Sequence, residues 1–390
     1  MILNIVSAAI PTAALQLIIL PSIASYVGEE KYGLIITIIA VLNVIPSTMG
    51  NVLNNIRLMY EEQYKQENYK GDFSLILVIL ETINAIIIFI CSCYYYNCSG
   101  ILDIILVVFT AILWLGREYH IVVFRIKLNF RGILFNNLFL VVGYLAGYFL
   151  FRLCGYWQLI YIFGILMSYA YIIKNSEICQ EPLHKTKLWR LVTRDTMLLL
   201  IAAILARAIS YADKMLLYPL LGGTMVSVYY AATILGKIAS MVISPMNSVA
   251  LSYLSKISKK PDALFRWAYL IGAIVCVIGY ILIMLISQPI LAFLYPNVAN
   301  EAMKYVHITS ATIVVESLTT IITPFVLKFF DVKWQICING FATISYIMLS
   351  FILLKYFGLM GFCVAALIAN VIKLMVTTCI YLCTKEKTIV

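Results

Sequence analysis

Hydrophobic and polar positions along this chain are segregated into long blocks rather than alternating by face. Apolar runs of about 20 residues, the length that crosses a hydrocarbon core of ~30 Å as a helix, recur from one end to the other with short polar gaps between them. They predict about twelve spans: 2–26, 33–56, 73–95, 101–124, 132–151, 155–174, 195–218, 226–255, 267–287, 301–327, 334–355 and 358–383. A membrane β-barrel would show segments of about ten residues with alternating polarity, and the sequence has none. The pattern therefore predicts an all-α integral membrane bundle. Pro11, Pro21, Pro46, Gly143, Gly147, Pro245, Gly272, Gly279 and Pro324 interrupt the runs. In membrane helices such residues serve close packing and kinks, and some are expected to be bends in a protein that rocks between two shapes.

The polar gaps are not equivalent. Of the 28 Lys and Arg residues, 19 lie in every second gap. These are Arg57, Lys65 and Lys70; Arg125, Lys127 and Arg131; Lys174, Lys185, Lys187, Arg190 and Arg194; Lys256, Lys259, Lys260 and Arg266; Lys328 and Lys333; and Lys385 and Lys387 in the tail. Positive residues flank membrane spans on the cytoplasmic side, so an even number of spans places both termini in the cytoplasm. Localisation follows: a multi-pass protein, expected in the bacterial cytoplasmic membrane.

Composition agrees, with 63% hydrophobic and only 12% charged residues, against about 25% charged in soluble domains. A net charge of +10 would point to nucleic acid in a soluble protein; here it follows the membrane rule, and no nucleic-acid partner is expected. The ten cysteines form no framework. Cys276, Cys337, Cys363 and Cys379 sit inside apolar runs as packing groups, Cys91, Cys93 and Cys98 cluster at an outer helix end, and no CxxC pair has zinc spacing. The first run lacks a basic lead-in and a cleavage site, so it is expected to be a mature helix from which a cytoplasmic lead-in is missing.

The longest gap, 174–194, carries Pro182 and five basic residues and reads as a linker. It divides the chain into six-span halves, 1–190 and 191–390, which enter the membrane in the same orientation, so any internal symmetry is a parallel repeat. Gly28 before one helix and Gly222-Gly223 before another are traces of it. Enzymatic signatures are missing: there is no HExxH, Walker loop or GxSxG, and His120, His184 and His307 are isolated. Glu29 and Glu30 read as a solvated turn. No enzyme, metal or cofactor is expected.

Candidate chemistry lies in charges inside the spans, which cost about 2.5–3.5 kcal/mol at a helix centre and usually face a bundle interior or water. Arg207 falls about 20 Å along its helix from Arg194, near the midplane, and Lys237 and Lys373 are similarly deep. Arg207, Ser210, Tyr211 and Lys214 share one helical face, as do Lys237, Ser240, Met241 and Ser244. Such faces form a positive wall suited to a polyanion, and Arg meets phosphate bidentately. Arg117 is a further cation candidate. Tyr211, Tyr229 and Tyr230 are candidates for stacking on sugar rings, with packing as the alternative. Glu81 and Glu316 are candidates for coupling to an ion. The competing reading is a set of structural ion pairs, such as Lys237 or Arg207 with Glu316, while Asp213-Lys214 and Arg117-Glu118 sit nearer helix ends and read as interfacial.

Several stretches resemble one family. The run Ile23-Ala24-Ser25-Tyr26-Val27-Gly28-Glu29-Glu30-Lys31-Tyr32-Gly33-Leu34 resembles its first hairpin, and Phe124 to Gly132 its basic loop between the fourth and fifth helices. Tyr211-Ala212-Asp213-Lys214, through Tyr229-Tyr230 and Lys237 to Ser244-Pro245, resembles its seventh and eighth helices, and Gly358-Leu359-Met360-Gly361 a late turn. By order and spacing the chain resembles the polysaccharide transporters, or O-antigen and capsule repeat-unit flippases, of the multidrug/oligosaccharidyl-lipid/polysaccharide (MOP) flippase superfamily. The resemblance implies two six-helix lobes in a MATE-like V around a cationic central cavity. It also implies movement of an undecaprenyl-diphosphate-linked oligosaccharide between leaflets for surface polysaccharide biosynthesis. Its partners would be this lipid-linked oligosaccharide, membrane lipids and polysaccharide assembly proteins. Arg207 and Lys237 would attract the diphosphate, with Lys373 and Arg117 secondary. A cation-coupled drug exporter of the same superfamily is the nearest alternative, and a membrane glycosyltransferase or polymerase a more distant one.

Overall fold

A computed structural model describes residues 2–98, 100–254, 260–330 and 332–384. Lys256, Lys259, Lys385 and Lys387 lie outside the described residues, as do the side chains of Ser210, Ser240, Met241, Ser244, Pro245 and Lys333. Among the described residues every regular element is helical. Helix α1 (Ile2–Ala13) passes through a π turn (Ala14–Ile19) into α2 (Leu20–Val27), together the first span. Helices α3 (Glu29–Val44) and α4 (Pro46–Gln66) form the second, bent at Ile45 because Pro46 cannot donate to the helix ladder. Single spans follow in α5 (Asp72–Tyr95), α6 (Ile101–His120), α8 (Phe130–Cys154) and α9 (Gln158–Asn175), with the short α7 (Val122–Ile126) after α6. The later spans are α10 (Trp189–Leu221), α11 (Gly223–Leu254), α12 (Asp262–Leu294), α13 (Ala299–Phe329) and α14 (Val332–Cys383). Helix α14 breaks at Gly358 (φ 56°, ψ −139°) and so makes two passes. The predicted twelve-span pattern is realised.

Among the described residues seven helical stretches are long and apolar enough by length and composition alone to cross a membrane. Helix α6 falls outside that set because it carries Asp103, Arg117 and Glu118. The outward residues of α12, including Leu270, Ile271, Ile274, Ile278, Ile281 and Leu285, are exposed apolar groups that need a hydrocarbon solvent.

The chain forms two compact units, Met1–Gly222 and Gly223–Val390. This boundary lies beyond the 190/191 division expected from the linker, because α10 packs on α3 and α4 within the first unit. The linker itself is pinned there. Arg57 grips Glu181 with both terminal nitrogens (2.8 and 3.1 Å) and Glu61 through Nε (3.0 Å). Asp72 accepts from the Thr186 backbone N–H at 2.8 Å and from the Thr186 and Tyr64 hydroxyls.

Small residues set helix contacts, as expected where lipid is as apolar as the side chains and close van der Waals packing must hold helices together. The α8 pair Gly143 and Gly147 lies against the α9 backbone at Phe163–Gly164 and Leu159–Ile160. Gly50 of α4 meets the Leu115 carbonyl of α6, and Asn54 one turn later bonds the Glu118 carbonyl at 2.9 Å, so these two helices run parallel. In the second unit the Thr309 hydroxyl bonds the Ala232 carbonyl (2.8 Å), and one turn on Ile313 fills the space beside Gly236. Helices α11 and α13 therefore also run parallel, as alternate spans of one bundle must.

Gly28 (φ 81°, ψ 166°) and Gly222 (φ 82°, ψ 173°) share a backbone region that is essentially reserved for glycine. They occupy corresponding places, between the first and second spans and between the seventh and eighth. The local conformation repeats although the surrounding sequence does not.

Gly143→Leu should lower stability by about 1–3 kcal/mol through overpacking against backbone that cannot yield. Gly279→Ala, where nothing lies within 4 Å of the added carbon, should be neutral or slightly stabilising. Thermal unfolding of the purified variants in detergent measures both.

Candidate functional site

The charged groups within spans take three different arrangements. In the first unit, Arg117 near the end of α6 is buried. Its Nη1 donates to Glu118 Oε1 (2.8 Å), Nη2 to Asn136 Oδ1 (3.3 Å) and Asn137 Oδ1 (2.7 Å), and Nε to the Ser168 hydroxyl (3.2 Å). The amides pass the network on: Asn136 Nδ2 donates to the Ser168 carbonyl (3.0 Å) and Asn137 Nδ2 to the Ser7 carbonyl (2.9 Å). Helices α1, α6, α8 and α9 are joined through one guanidinium whose donors are almost all engaged. This is how a cation becomes tolerable away from water: one carboxylate for its charge and neutral oxygens for the remaining N–H groups. Chemically, Arg117 holds the unit together and has little left to offer an anion.

Sequence reasoning missed the amide and hydroxyl partners of Arg117. The signal was present as two consecutive amides, Asn136-Asn137, in the middle of an apolar run, since intramembrane amides bond across helices.

Lys214 takes the second arrangement. It is buried on α10 with Nζ 2.6 Å from Asp213 Oδ2 and 5.6 Å from the Tyr211 ring centre. Lys214, Asp213 and Tyr211 are thus a local cluster, and the half-buried Tyr211 is held beside a cation already neutralised by its neighbour.

The third arrangement is a charge placed deep within a span. Arg207 lies at mid-α10 in the first unit, exposed, with no ion pair among the described residues. In the second unit, Lys237 on α11 holds Nζ 3.6 Å from the centre of the Tyr230 ring, a cation–π contact, and Tyr230 in turn meets Tyr295 edge-on at 6.4 Å. Lys373 is half-buried on α14. Glu316 is exposed on α13 and forms no ion pair among the described residues. The second unit thus brings Lys237 together with Tyr230 rather than with Glu316.

Glu81, about 14 Å along α5 from Asp72, is half-buried at a notch in α6. Gly116 has no side chain there, and the Glu81 carboxylate and Tyr169 hydroxyl occupy the space, with Oε1 3.0 Å from where a Cβ would stand. Tyr169 is also 3.2 Å from His120 Nδ1, which lies 2.8 Å from the Gly116 carbonyl. Among the described residues no group of three or more His, Cys, Asp or Glu could hold a metal ion.

No protein-family model matches the chain, and no curated protein sequence matches it either. Solved structures do. An inward-facing multidrug resistance MATE-family transporter of the MOP superfamily matches with a TM-score of 0.74 at 12% identity, over 97% of this chain and 98% of the other. The lipid II flippase MurJ in an inward closed conformation matches with 0.72 at 15% identity, over 97% and 87%. The chain has the fold of MATE and MurJ. An outward-facing MATE-family transporter of the MOP superfamily gives 0.61 at 13% identity, over 96% and 93%. These proteins are transporters and a flippase rather than enzymes, and the fold is that of a membrane transporter bundle.

Arg117→Met should cost about 3 kcal/mol or more, because it strands Glu118 and two buried amides. Arg207→Met should leave stability unchanged. Denaturation midpoints of the two variants side by side separate the structural cation from the exposed one.

Proposed function

We propose that this protein is a bacterial cytoplasmic-membrane flippase. It carries undecaprenyl-diphosphate-linked oligosaccharide repeat units from the cytoplasmic to the outer leaflet for O-antigen or capsule assembly. The observation that carries the reading is the exposed Arg207, without an ion pair among the described residues, at mid-span on a fold shared with transporters. A diphosphate crossing a hydrocarbon layer needs cations along its route, and guanidinium meets phosphate with paired, charge-assisted hydrogen bonds. Lys237 and Lys373 supply further positive charge at other points of the crossing, and Tyr211 an aromatic face for sugar. Arg117 is assigned to stabilising its own unit. Alternating access then requires the substrate to bind the two shapes of the protein unequally, since equal affinity shifts no equilibrium. The partners are the lipid-linked oligosaccharide, membrane lipids and the proteins that assemble the polymer.

A second reading, export of drugs, is favoured by the likeness to a MATE-family multidrug transporter. It calls for negative charge facing a cationic drug, which Glu316 offers; the three mid-span cations oppose it.

The test is the leaflet distribution of lipid-linked oligosaccharide in a strain lacking the protein. Inner-leaflet accumulation should be relieved by the wild type, and the rate of relief should fall about 10- to 100-fold with Arg207→Ala, the worth of one or two charge-assisted contacts. Normal distribution in the null strain, together with lost resistance to cationic dyes, would replace flipping with drug export.

A further inference from the structure

We propose that Cys93 and Cys98 are a redox-sensitive pair that closes to a disulfide across the C-terminal cap of α5. The pair is independent of which substrate the protein carries.

The backbone brings these two side chains together. Asn97 takes the left-handed conformation (φ 50°), its N–H donates to the Tyr94 carbonyl (3.4 Å), and the Cys98 N–H donates to the Cys93 carbonyl (2.9 Å). This combination is the Schellman helix ending, in which the side chain three residues before the cap meets the one two residues after it. The cap of α5 is Tyr96, so the meeting pair is Cys93 and Cys98. Two apolar groups at these positions would only pack; two thiols can bond. The Cys98 thiol donates to the Cys93 carbonyl at 3.8 Å and is within hydrogen-bonding reach of the Cys93 thiol. A disulfide needs Cα atoms about 4.4–6.8 Å apart, and a backbone hydrogen bond joining the same two residues keeps them at that scale. Cys91 lies two residues before Cys93, and residues so spaced on a helix do not face each other.

Helix α5 leaves the basic gap 57–72 and crosses once, so the charge pattern predicts that its far end is on the outer side. Disulfides form and persist in that compartment. Cys98 is exposed and Cys93 half-buried, so Cys98 meets the oxidant first. Its thiolate displaces one sulfur of a disulfide oxidant, and Cys93 then displaces the other. Two cysteine thiols are oxidised to one S–S bond, the oxidant's S–S bond is reduced to two thiols, and the two cysteine protons end on those thiols. The cap that the bridge fixes is a junction within the N-terminal unit. The Tyr95 hydroxyl donates to the Met215 carbonyl of α10 (3.2 Å), the Tyr95 ring meets Tyr218 edge-on at 5.7 Å, and Trp157 Nε1 at the start of α9 donates to the Tyr96 hydroxyl (3.3 Å). Closing the bridge therefore stiffens the hold of α5 on α9 and α10.

The test treats purified full-length protein in nanodiscs with oxidised glutathione, blocks remaining thiols with N-ethylmaleimide, and weighs the peptide containing residues 93–98. That peptide should be two hydrogens lighter than its reduced form and carry no maleimide at Cys93 or Cys98, and dithiothreitol should restore both labelling sites. Cys91→Ala and Cys154→Ala should keep the bridge, and Cys98→Ala should lose it. Oxidised wild type should melt roughly 2–4 °C above reduced wild type, a gap that vanishes in Cys98→Ala. Maleimide on both cysteines after oxidation, glutathione retained on either without closure, or a bridge from either to Cys91 or Cys154 overturns the pairing. Equal melting of bridged and reduced wild type overturns its hold on the cap.

Discussion

An ionised group inside a hydrocarbon layer must be paired, hydrogen-bonded or wet, and the organisation of this chain follows from that requirement. It confines most Lys and Arg to alternate gaps, which sets how the helices thread the membrane. Where charges do enter the spans, it dictates their surroundings. Arg117 is wrapped by one carboxylate, two amides and a hydroxyl drawn from three helices. Lys214 is neutralised by the adjacent Asp213. The Lys237 ammonium rests on an aromatic face. Arg207 is exposed and has none of these partners among the described residues.

The same scarcity of water explains the packing. Helices that gain nothing by hiding apolar surface from lipid associate through close backbone approach and polar links. Gly143, Gly147 and Gly164 provide the first between α8 and α9; Asn54, Asn136 and Asn137 provide the second around α6. The linker after α9 is tied down by Arg57 and Asp72 instead of hanging free, so α10 begins from a fixed point and packs with the helices before it.

Much of the fold was legible because hydropathy at this length scale has one physical cause. The spans, the bend at Pro46 and the turn at Gly358 can all be read directly from residue types. The unit boundary could not: the Pro182 linker looked like the natural division, but whether α10 belongs with the helices before or after it depends on side-chain packing with α3 and α4. The site was legible only as a set of charges. Charge within an apolar run marked Arg117, Arg207 and Lys237 alike, yet their surroundings diverge because the partners come from distant segments. Asn136 and Ser168 have no sequence spacing to Arg117, and nothing near Glu81 in the chain announces Gly116 or Tyr169.

A fold shared with MATE transporters and a lipid II flippase leaves the substrate open, and the flippase proposed above rests on positive charge at mid-span. Transbilayer movement in a purified system measures this directly. Proteoliposomes carrying only this protein and a polyprenyl-diphosphate oligosaccharide should expose the inner-leaflet half of the lipid to a membrane-impermeant sugar-modifying reagent, bringing modification from about half to near completion. A polyprenol-linked sugar without the diphosphate should remain about half modified. Equal movement of both lipids, or of neither, would contradict the account.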